Sequence, residues 1–287
     1  MIIDGRVEIE DKSNATNGEV IAYEVFDYLD EIIKTNRSRP HRHNDDRLGR
    51  ESFTKSWDGV NSYKEAEDLA INGWKEAEEN KELNNIFNLQ VNEEDKLISF
   101  KNDVVGYTPV VPLVLQGIPN CMTNVTKKRV KSKIIHIAYN ISTTCGTSSE
   151  QIMKAGIELF KVIMQLERQG YRVKLTAMQD FTNSDGSNLM VLNLKSEYKP
   201  LHITSMMFPL LHPAMFRVIG FAWYERSPVT WYMSGYGRSY DSEFSRESFL
   251  KAIKKILKTD NLVYFRYRDL EDKTADEIID KIKEQIK

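Results

Sequence analysis

The stretch KIIHIAYNISTTCGTSSEQIMKAGIELFKVIMQLERQG, residues 133–170, decides the fold of this chain. Residues 134–141 are almost entirely apolar, which predicts a strand covered by helices on both faces. A polar turn then leads into a long amphipathic helix, for which Thr147 and Glu150 have capping-box spacing and Gly170 supplies the stop. Because ligands of open parallel sheets bind where a strand passes into its helix, residues 140–147 are the best-placed candidate site.

The rest of the second half alternates strands with helices. Strands are predicted at 171–178, 189–195 and 262–267, and helices at 245–258 and 274–286. Residues 201–225 are apolar but interrupted at Pro209 and Pro213, which predicts two short helices. This pattern predicts an α/β domain over residues 131–287, with a mainly parallel sheet flanked by helices.

The first half, residues 1–130, has a mixed pattern that predicts an N-terminal helical and extended region. Apolar spacing predicts an amphipathic helix at 18–34, and the polar segment after it predicts a long loop. Ser62 and Glu65 have capping-box spacing ahead of a second helix. Three prolines and two glycines between residues 104 and 122 predict an extended connector or edge strand.

Composition limits the classes of function. The 287 residues include 40 basic and 42 acidic side chains, so a net charge of -2 gives no global attraction for nucleic acid or anionic membranes. The chain begins MIIDGRVEIEDK, without the basic and apolar regions of a secretory signal, and no window has the apolar length of a membrane span. We therefore expect a cytoplasmic protein without a membrane partner. Two cysteines are too few for a disulfide framework.

The sequence Asn140-Ile141-Ser142-Thr143-Thr144, between a strand and a long helix, resembles the metal-binding motif of von Willebrand factor A-type domains. That motif reads Asp-x-Ser-x-Ser, so the resemblance implies a Rossmann-like sheet and a divalent cation held by Ser142, Thr144 and a carboxylate such as Asp180. Asn140 replaces the aspartate and removes a charge that a hard cation favours. The alternative is that the hydroxyls only cap the helix, and we expect no cofactor.

A second resemblance covers most of the chain. The run SFTKSWDGVNSYKEAEDLAINGW at 52–74, with the proline-rich VVPLVLQGIPNCM and FPLLHPAMFRVIGFAWYE, is similar to an uncharacterised family of bacteriophage and prophage proteins. The resemblance implies a viral or mobile-element origin, residence in the bacterial host cytoplasm and potential association with the virion. It implies no reaction, because the family has no assigned chemistry.

Two further groups of residues could bind a macromolecule. A nucleic-acid surface could use the arginine-rich arm and the basic flank of the buried strand, namely Arg37, Arg39, Arg42, Arg47, Lys127, Lys128 and Arg129. An aromatic loop could contact protein, since tyrosine, tryptophan and arginine dominate binding hot spots; its residues are Trp231, Tyr232, Tyr236 and Arg238.

Support for catalysis is weaker. His136 lies inside the apolar strand, which is typical of a buried core residue, and the sequence pairs no base with Cys145. Dinucleotide, Walker, nucleophile-elbow and zinc-protease motifs do not occur. The sequence favours a non-enzymatic protein that binds another phage or host protein through Asn140, Ser142, Thr143 and Thr144 and through the aromatic loop. A nucleic-acid-associated factor is the alternative, and a metal-dependent enzyme is the third hypothesis.

Overall fold

The computed structural model describes residues 3–9, 19–41, 46–50, 53–75, 77, 99–126, 133–183, 186–227 and 246–285. The chain divides into two compact units, of which unit 1 contains residues 1–80 and 133–287 and unit 2 contains residues 81–132. The first 80 residues therefore share a unit with the second half of the chain. This grouping differs from the predicted division into 1–130 and 131–287.

The described strands, in chain order, are β1 (Ile3–Ile9), β2 (Glu19–Phe26), β3 (Ser99–Asp103), β4 (Thr108–Pro109), β5 (Met122–Thr126), β6 (Ile134–Asn140), β7 (Arg172–Asn183), β8 (Gly186–Lys195) and β9 (Leu262–Arg266). Unit 1 holds a six-stranded sheet in the order β1-β2-β8-β7-β6-β9. The pairs β2–β8, β6–β7 and β6–β9 are parallel, whereas β1–β2 and β7–β8 are antiparallel. The sheet is mixed and mostly parallel.

The described helices are α1 (Leu29–Ser38), α2 (Lys55–Asp58), α3 (Tyr63–Asn72), α4 (Val111–Leu115), α5 (Ser149–Arg168), α6 (Ile203–Leu211), a π-helix (Met215–Gly220), α7 (Phe221–Tyr224), α8 (Arg246–Leu257), α9 (Tyr267–Leu270) and α10 (Ala275–Gln285). Helix α8 packs Phe249 and Ile253 onto the sheet face that carries Ala138 and Met178. Helix α5 packs against β7, α6 and α10. The prediction of an α/β fold flanked by helices is confirmed.

The β6–α5–β7 unit follows the pattern predicted from residues 133–170. Six of the seven β6 side chains are buried, because neighbouring strands and helices cover both faces of this central strand. The cap of α5 is shifted by one residue from the prediction. Ser148, not Thr147, accepts the amide of Gln151, and Gln151 accepts the amide of Ser148 in return. The pairs Thr147–Glu150 and Ser148–Gln151 have the same spacing, so the sequence pattern alone could not identify the capping pair.

The prediction of a helix at 18–34 is wrong. Residues 19–26 form β2, and the helix begins only at Leu29 and continues through Ser38. Ile21 and Val25 face one side of the sheet while Ala22 and Phe26 are buried on the other. A strand buried on both faces has no alternation of polar and apolar residues, so its apolar positions also matched a helical period.

The β7–β8 pair is antiparallel. A short connection at residues 184–185 joins the two strands, and adjacent strands joined by so short a connection run antiparallel. The sheet is therefore less parallel than the alternation of elements suggested.

The apolar segment 201–225 is helical and broken, but the break lies at His212, just before Pro213, and not at Pro209. Helix α6 contains Pro209, and the segment after His212 continues as the π-helix and α7, with nearly every side chain buried. In the part of the chain that the structure describes, no single helix meets the length and hydropathy expected of a membrane span. Two consecutive helical segments, Ile203–Leu211 and Met215–Tyr224, reach that length and hydropathy only as a pair, and the chain bends by 64° between them.

Unit 2 contains a three-stranded sheet in the order β3-β5-β4. The segment predicted to be an extended connector forms strand β4 and the five-residue helix α4, with Pro112 in its first turn. Proline is tolerated there because the first amides of a helix have no partner within the helix.

Candidate functional site

The candidate site lies where β6 ends. β6 has a parallel neighbour on each side, β7 reached through α5 and β9 reached later in the chain. Such a strand marks a switch point of an open α/β sheet, and the crevice at its carboxyl end is the usual place for a ligand. Residues 141–148 form the turn at this end.

A buried polar network fixes the start of the turn. The Asn140 amide donates to Asp180 Oδ1 at 2.6 Å and to Tyr264 Oη at 3.0 Å, and its Oδ1 accepts the Ser142 amide at 2.9 Å. Ser142 Oγ accepts the Asp180 amide at 3.1 Å and donates to the Asp180 carbonyl at 3.3 Å. Asn140 and Asp180 are almost fully buried. The network therefore joins the end of β6 to β7 and β9.

This arrangement does not fit the divalent cation that the von Willebrand resemblance implies. Asp180 accepts a hydrogen bond from the side-chain nitrogen of Asn140. A hard divalent cation prefers oxygen ligands, so this nitrogen does not suit it. Ser142 is bonded to the Asp180 main chain, and Thr144 Oγ1 lies 3.1 Å from Thr147 Oγ1. Across the described ranges, no group of three or more His, Cys, Asp or Glu side chains is arranged to hold a metal.

Arg217 and Trp57 hold the turn from behind. Arg217 lies on the π-helix, is 0% exposed and donates to the carbonyls of Trp57 and Thr147, each at 2.6 Å. Its guanidinium also stacks 4.5 Å from the centre of the Trp57 ring. Trp57 Nε1 in turn donates to the Cys145 carbonyl at 3.0 Å. Burial lowers the pKa of Arg217, but an arginine stays charged at any ordinary pH.

The outer side of the same turn faces solvent. Thr144, Cys145, Gly146 and Ser148 are exposed, whereas Thr143 is buried. Helix α2 lies beside them, and Ser149 Oγ donates to the Ser56 carbonyl at 3.4 Å. We call residues 54–57 and 143–149 together the turn–α2 surface. Arg217 of the π-helix and Trp57 of α2 bind its main-chain carbonyls.

The structure places Arg37, Arg39 and Arg47 of the predicted nucleic-acid arm in ion pairs. Arg37 binds Glu67 and lies on helix α1 rather than in a loop. Arg39 binds Glu24 at 2.7 Å. Arg47 is 6% exposed and lies 3.6 Å from both Asp58 and Glu225, so its guanidinium does not form part of an open basic surface.

The other predicted binding residues lie outside the described residues. These are Arg42, Lys127, Lys128, Arg129, Trp231, Tyr232, Tyr236 and Arg238. Their predicted roles stay predictions.

His136 is buried and hydrogen-bonded to Thr176 at 2.8 Å, which agrees with the prediction of a core histidine. Burial lowers the pKa of His136 to about 4 and that of His212 to about 4, so both rings are neutral at pH 7. Cys145 is an exposed thiol on the turn.

A cavity of about 870 Å³ lies at the opposite end of the sheet from Asn140. The carboxyl end of β8 and residues of α3 and α6 line it, with Lys174, Glu197 and His202 among the polar groups. It contains none of the residues predicted for the site.

Sequence reasoning missed Trp57, Arg217 and Tyr264 as parts of the site. One signal was available for Arg217, which is the only charged residue between 203 and 224. An isolated arginine in an apolar helical segment requires buried acceptors. Nothing in the sequence indicated that the acceptors would be main-chain carbonyls of α2 and of the turn.

Comparisons with known proteins identify a family but no relative of known activity. No curated protein and no solved structure matches this chain. One family model matches residues 10–287, which is nearly the whole chain. The chain belongs to the family described as a domain of unknown function, DUF7192.

Proposed function

We propose that this chain is a non-enzymatic binding protein that recognises another protein through the turn–α2 surface. The observation that carries the proposal is the contrast between the exposed outer side of the turn and its tightly held main chain. Arg217, Trp57 and Ser142 fix the backbone, while Thr144, Cys145 and Gly146 remain exposed. A surface that is ordered before binding loses less conformational entropy when a partner docks.

The polar groups beneath the turn support binding rather than catalysis. Asn140, Ser142 and Asp180 bind one another and the backbone, which is the arrangement of a structural network. Buried, satisfied polar networks make local structure rigid. A divalent cation at Ser142, Thr144 and Asp180 would require these bonds to rearrange, so we propose no cofactor.

We also propose that the sheet is of the von Willebrand A-like or Rossmann-like type. The parallel strands on both sides of β6 and the hydroxyl-rich turn before α5 support this proposal. On the sequence resemblance stated above, we propose a phage or prophage origin. The corresponding roles are virion assembly or interference with a host protein in the bacterial cytoplasm.

The ion pairs of Arg37, Arg39 and Arg47 favour a protein partner over nucleic acid. Arg37, Arg39 and Arg47 each already face a carboxylate, which lowers the positive potential that phosphates require. A nucleic-acid role would depend on Arg42 and on Lys127, Lys128 and Arg129. It predicts salt-sensitive binding to mixed oligonucleotides that alanine at Arg42, Lys127, Lys128 and Arg129 removes.

Affinity capture with matched variants tests the proposal. A tagged chain is recovered from phage-infected or prophage-induced bacteria as wild type, as Gly146→Arg and as Arg172→Glu. No neighbouring atom lies within 4 Å of a Cβ built at Gly146, so the arginine projects into the proposed contact without disturbing the fold. Arg172 is exposed at the start of β7, at the other end of the sheet.

The proposal predicts a protein that copurifies with wild type and with Arg172→Glu and is lost with Gly146→Arg. Equal recovery with all three forms would overturn the assignment of the surface. Recovery of nucleic acid alone would overturn the choice of partner.

A further inference from the structure

Exposed apolar side chains are concentrated in one segment of unit 2. Of the eleven large apolar side chains that are exposed among the described residues, seven lie between residues 104 and 118. They are Val104, Val105, Tyr107, Val111, Val114, Leu115 and Ile118. We call residues 104–118 the apolar tip. Exposed apolar groups that cluster in this way mark a surface that contacts another protein or a membrane.

The apolar tip lies at one end of the three-stranded sheet of unit 2. Asp103, at the end of β3, and Pro109, at the end of β4, both pair with Met122, the first residue of β5. Residues 104–107 and 110–118 therefore leave the sheet at the same end. The exposed apolar side chains are grouped there rather than scattered over the unit.

Much of the backbone of the tip is hydrogen-bonded locally. In α4 and the turns beside it, amides donate to carbonyls within residues 110–121; they belong to Val110, Leu113, Val114, Gln116, Gly117 and Ile118. Pro109, Pro112 and Pro119 have no amide hydrogen that needs a partner. A segment with few free amides enters an apolar medium at lower cost, because unsatisfied backbone groups are expensive there.

The charges of this part of the sequence separate sharply. None of residues 104–126 is charged, whereas five of the seven residues 127–133 are basic and none is acidic. The acidic run 93–95 lies on the other side of β3 in the sequence. An uncharged apolar segment followed by a basic run is typical of a peripheral membrane anchor, in which apolar side chains enter the bilayer surface and basic ones attract anionic headgroups.

We infer that the apolar tip inserts into the surface of an anionic lipid bilayer. Valine and leucine, which are under-represented at protein-binding hot spots, supply five of the seven exposed apolar side chains. Tyr107 is of the residue type that is enriched where lipid meets water. The expectation of no membrane partner was based on the net charge of the whole chain, and the tip is a local exception to it. This site is separate from the turn–α2 surface and does not depend on the function proposed for that surface.

Vesicle flotation tests the inference with the full chain. The vesicles contain equal parts of phosphatidylcholine and phosphatidylglycerol, and vesicles of phosphatidylcholine alone are the control for charge. We expect binding to the anionic vesicles that weakens but persists as salt rises, because salt screens the headgroups and leaves the apolar contact. Binding to the neutral vesicles should be roughly tenfold weaker or less. No binding to anionic vesicles at low salt would overturn the inference.

Two double variants without any change of charge test the tip. The tip variant is Tyr107→Ser with Leu115→Ser, and the control is Tyr198→Ser with Ile71→Ser in unit 1. Tyr107 and Tyr198 are both 83% exposed, and Leu115 and Ile71 are also exposed, so each variant removes two uncovered apolar side chains. The tip variant should bind roughly tenfold more weakly or worse, and the control should bind as wild type. Equal binding by the two would overturn the role of the tip.

Neutralisation of basic residues tests the attraction to headgroups. Glutamine at Lys127, Lys128 and Arg129 should weaken binding to anionic vesicles by about fivefold per residue. The control places glutamine at three exposed lysines of α8 and α10, Lys254, Lys255 and Lys281. An equal loss with both triple variants would reduce the effect to general charge attraction and would contradict anchoring at the tip.

Fluorescence quenching reports whether the tip enters the bilayer. Tyr107→Trp and Tyr198→Trp place an added indole at two equally exposed positions, one in the tip and one outside it. Lipids with brominated acyl chains should quench the first variant more than the second. Equal quenching would mean that the tip does not insert.

Three other results would assign the tip or the basic run elsewhere. Dimers that the tip variant dissociates, in a chain that binds no vesicles, would make a second copy the occupant of the tip. A captured protein that the tip variant alone loses, again without vesicle binding, would make the occupant a protein. Preference for oligonucleotides over vesicles would assign the basic run to nucleic acid. Gly146→Arg should bind vesicles as wild type does, so a failure of the turn–α2 proposal is distinguishable from a failure of this one.

Discussion

Replacement of Arg217 tests whether one buried side chain fixes the turn. Arg217→Met keeps a side chain of similar length and removes both hydrogen bonds to the carbonyls of Trp57 and Thr147. Hydrogen bonds that involve a charged group contribute about 1.5–3 kcal/mol each. The gain from no longer burying a cation offsets part of this loss. We expect the free energy of unfolding to fall by about 2–4 kcal/mol.

The assay is urea denaturation with linear extrapolation, which reports the free energy of unfolding and its dependence on denaturant. Arg268→Met is the control, because Arg268 is exposed on α9. Arg217→Lys keeps the charge but not the planar fork, so its loss should be intermediate. Hydrogen exchange at residues 143–149 should accelerate in Arg217→Met, since the turn loses its support from behind.

A loss below about 1 kcal/mol for Arg217→Met would refute this reasoning, because the guanidinium would then contribute no more than a surface group. Unchanged exchange at 143–149 would refute the link between Arg217 and the turn, even if the protein were less stable.

Three further predictions concern packing, metal binding and pH. Gly156→Ala should destabilise the protein by about 1–3 kcal/mol, because the added Cβ would lie 2.8 Å from Leu211 Cγ and 2.9 Å from the Leu210 carbonyl oxygen. The control Gly146→Ala places its Cβ in open space and should have little effect. Equal urea midpoints for the two variants would contradict the packing of α5 on α6. Ser142→Ala should cost about 1–2 kcal/mol through its two bonds to Asp180. Magnesium should leave the melting temperature of wild type and Ser142→Ala unchanged, whereas a magnesium-dependent rise in wild type that the variant lacks would restore a metal site. Burial holds the pKa of His136 and of His212 at about 4, below the ordinary value of about 6.5. The unfolded chain therefore binds protons first, and the free energy of unfolding should fall by up to about 3 kcal/mol per histidine as pH drops from about 6.5 to 4. His136→Gln should reduce that pH dependence in urea titrations, and an unchanged dependence would contradict a neutral buried ring.

The sequence predicted the β6–α5–β7 unit because several local sequence patterns indicate the same strand and helix. An apolar strand, a capped amphipathic helix and Gly170 all indicate the same boundaries, and each is local in the chain. Gly170 has a φ of +88°, which a residue with a side chain rarely adopts. The terminal helix was predicted for the same reason, since Thr274 and Glu277 bond reciprocally at its start.

β2 could not be predicted because one of its two neighbours in the sheet, β8, is distant in sequence. β8 lies more than 160 residues further along the chain, and β2 has buried residues on both of its faces. Local periodicity carries no information about such a partner. The sequence also did not indicate the direction of β8, because the pattern of strands and helices does not specify how two neighbouring strands run.

The position of the turn in the fold was predicted from the sequence, but the side-chain contacts around it were not. The turn after β6 was identified from its position, and Ser142 and Asp180 do meet there. Of the expected metal ligands, Ser142 bonds to the Asp180 main chain and Thr144 to Thr147. Asp180 accepts the side-chain amide of Asn140, which stands where the von Willebrand motif has a carboxylate. Arg217 contacts Thr147 of the turn although the two residues are 70 positions apart in the sequence. Short motif spacings do not predict a contact over such a separation.

Hydrogen exchange of the chain with its captured partner tests the central claim most directly. Exchange is compared, peptide by peptide, between the free chain and the purified complex. The account predicts that exchange slows at residues 54–57 and 143–149 and that Gly146→Arg abolishes this protection. Protection confined to other parts of the chain, with the turn exchanging as in the free protein, would contradict the proposed recognition surface.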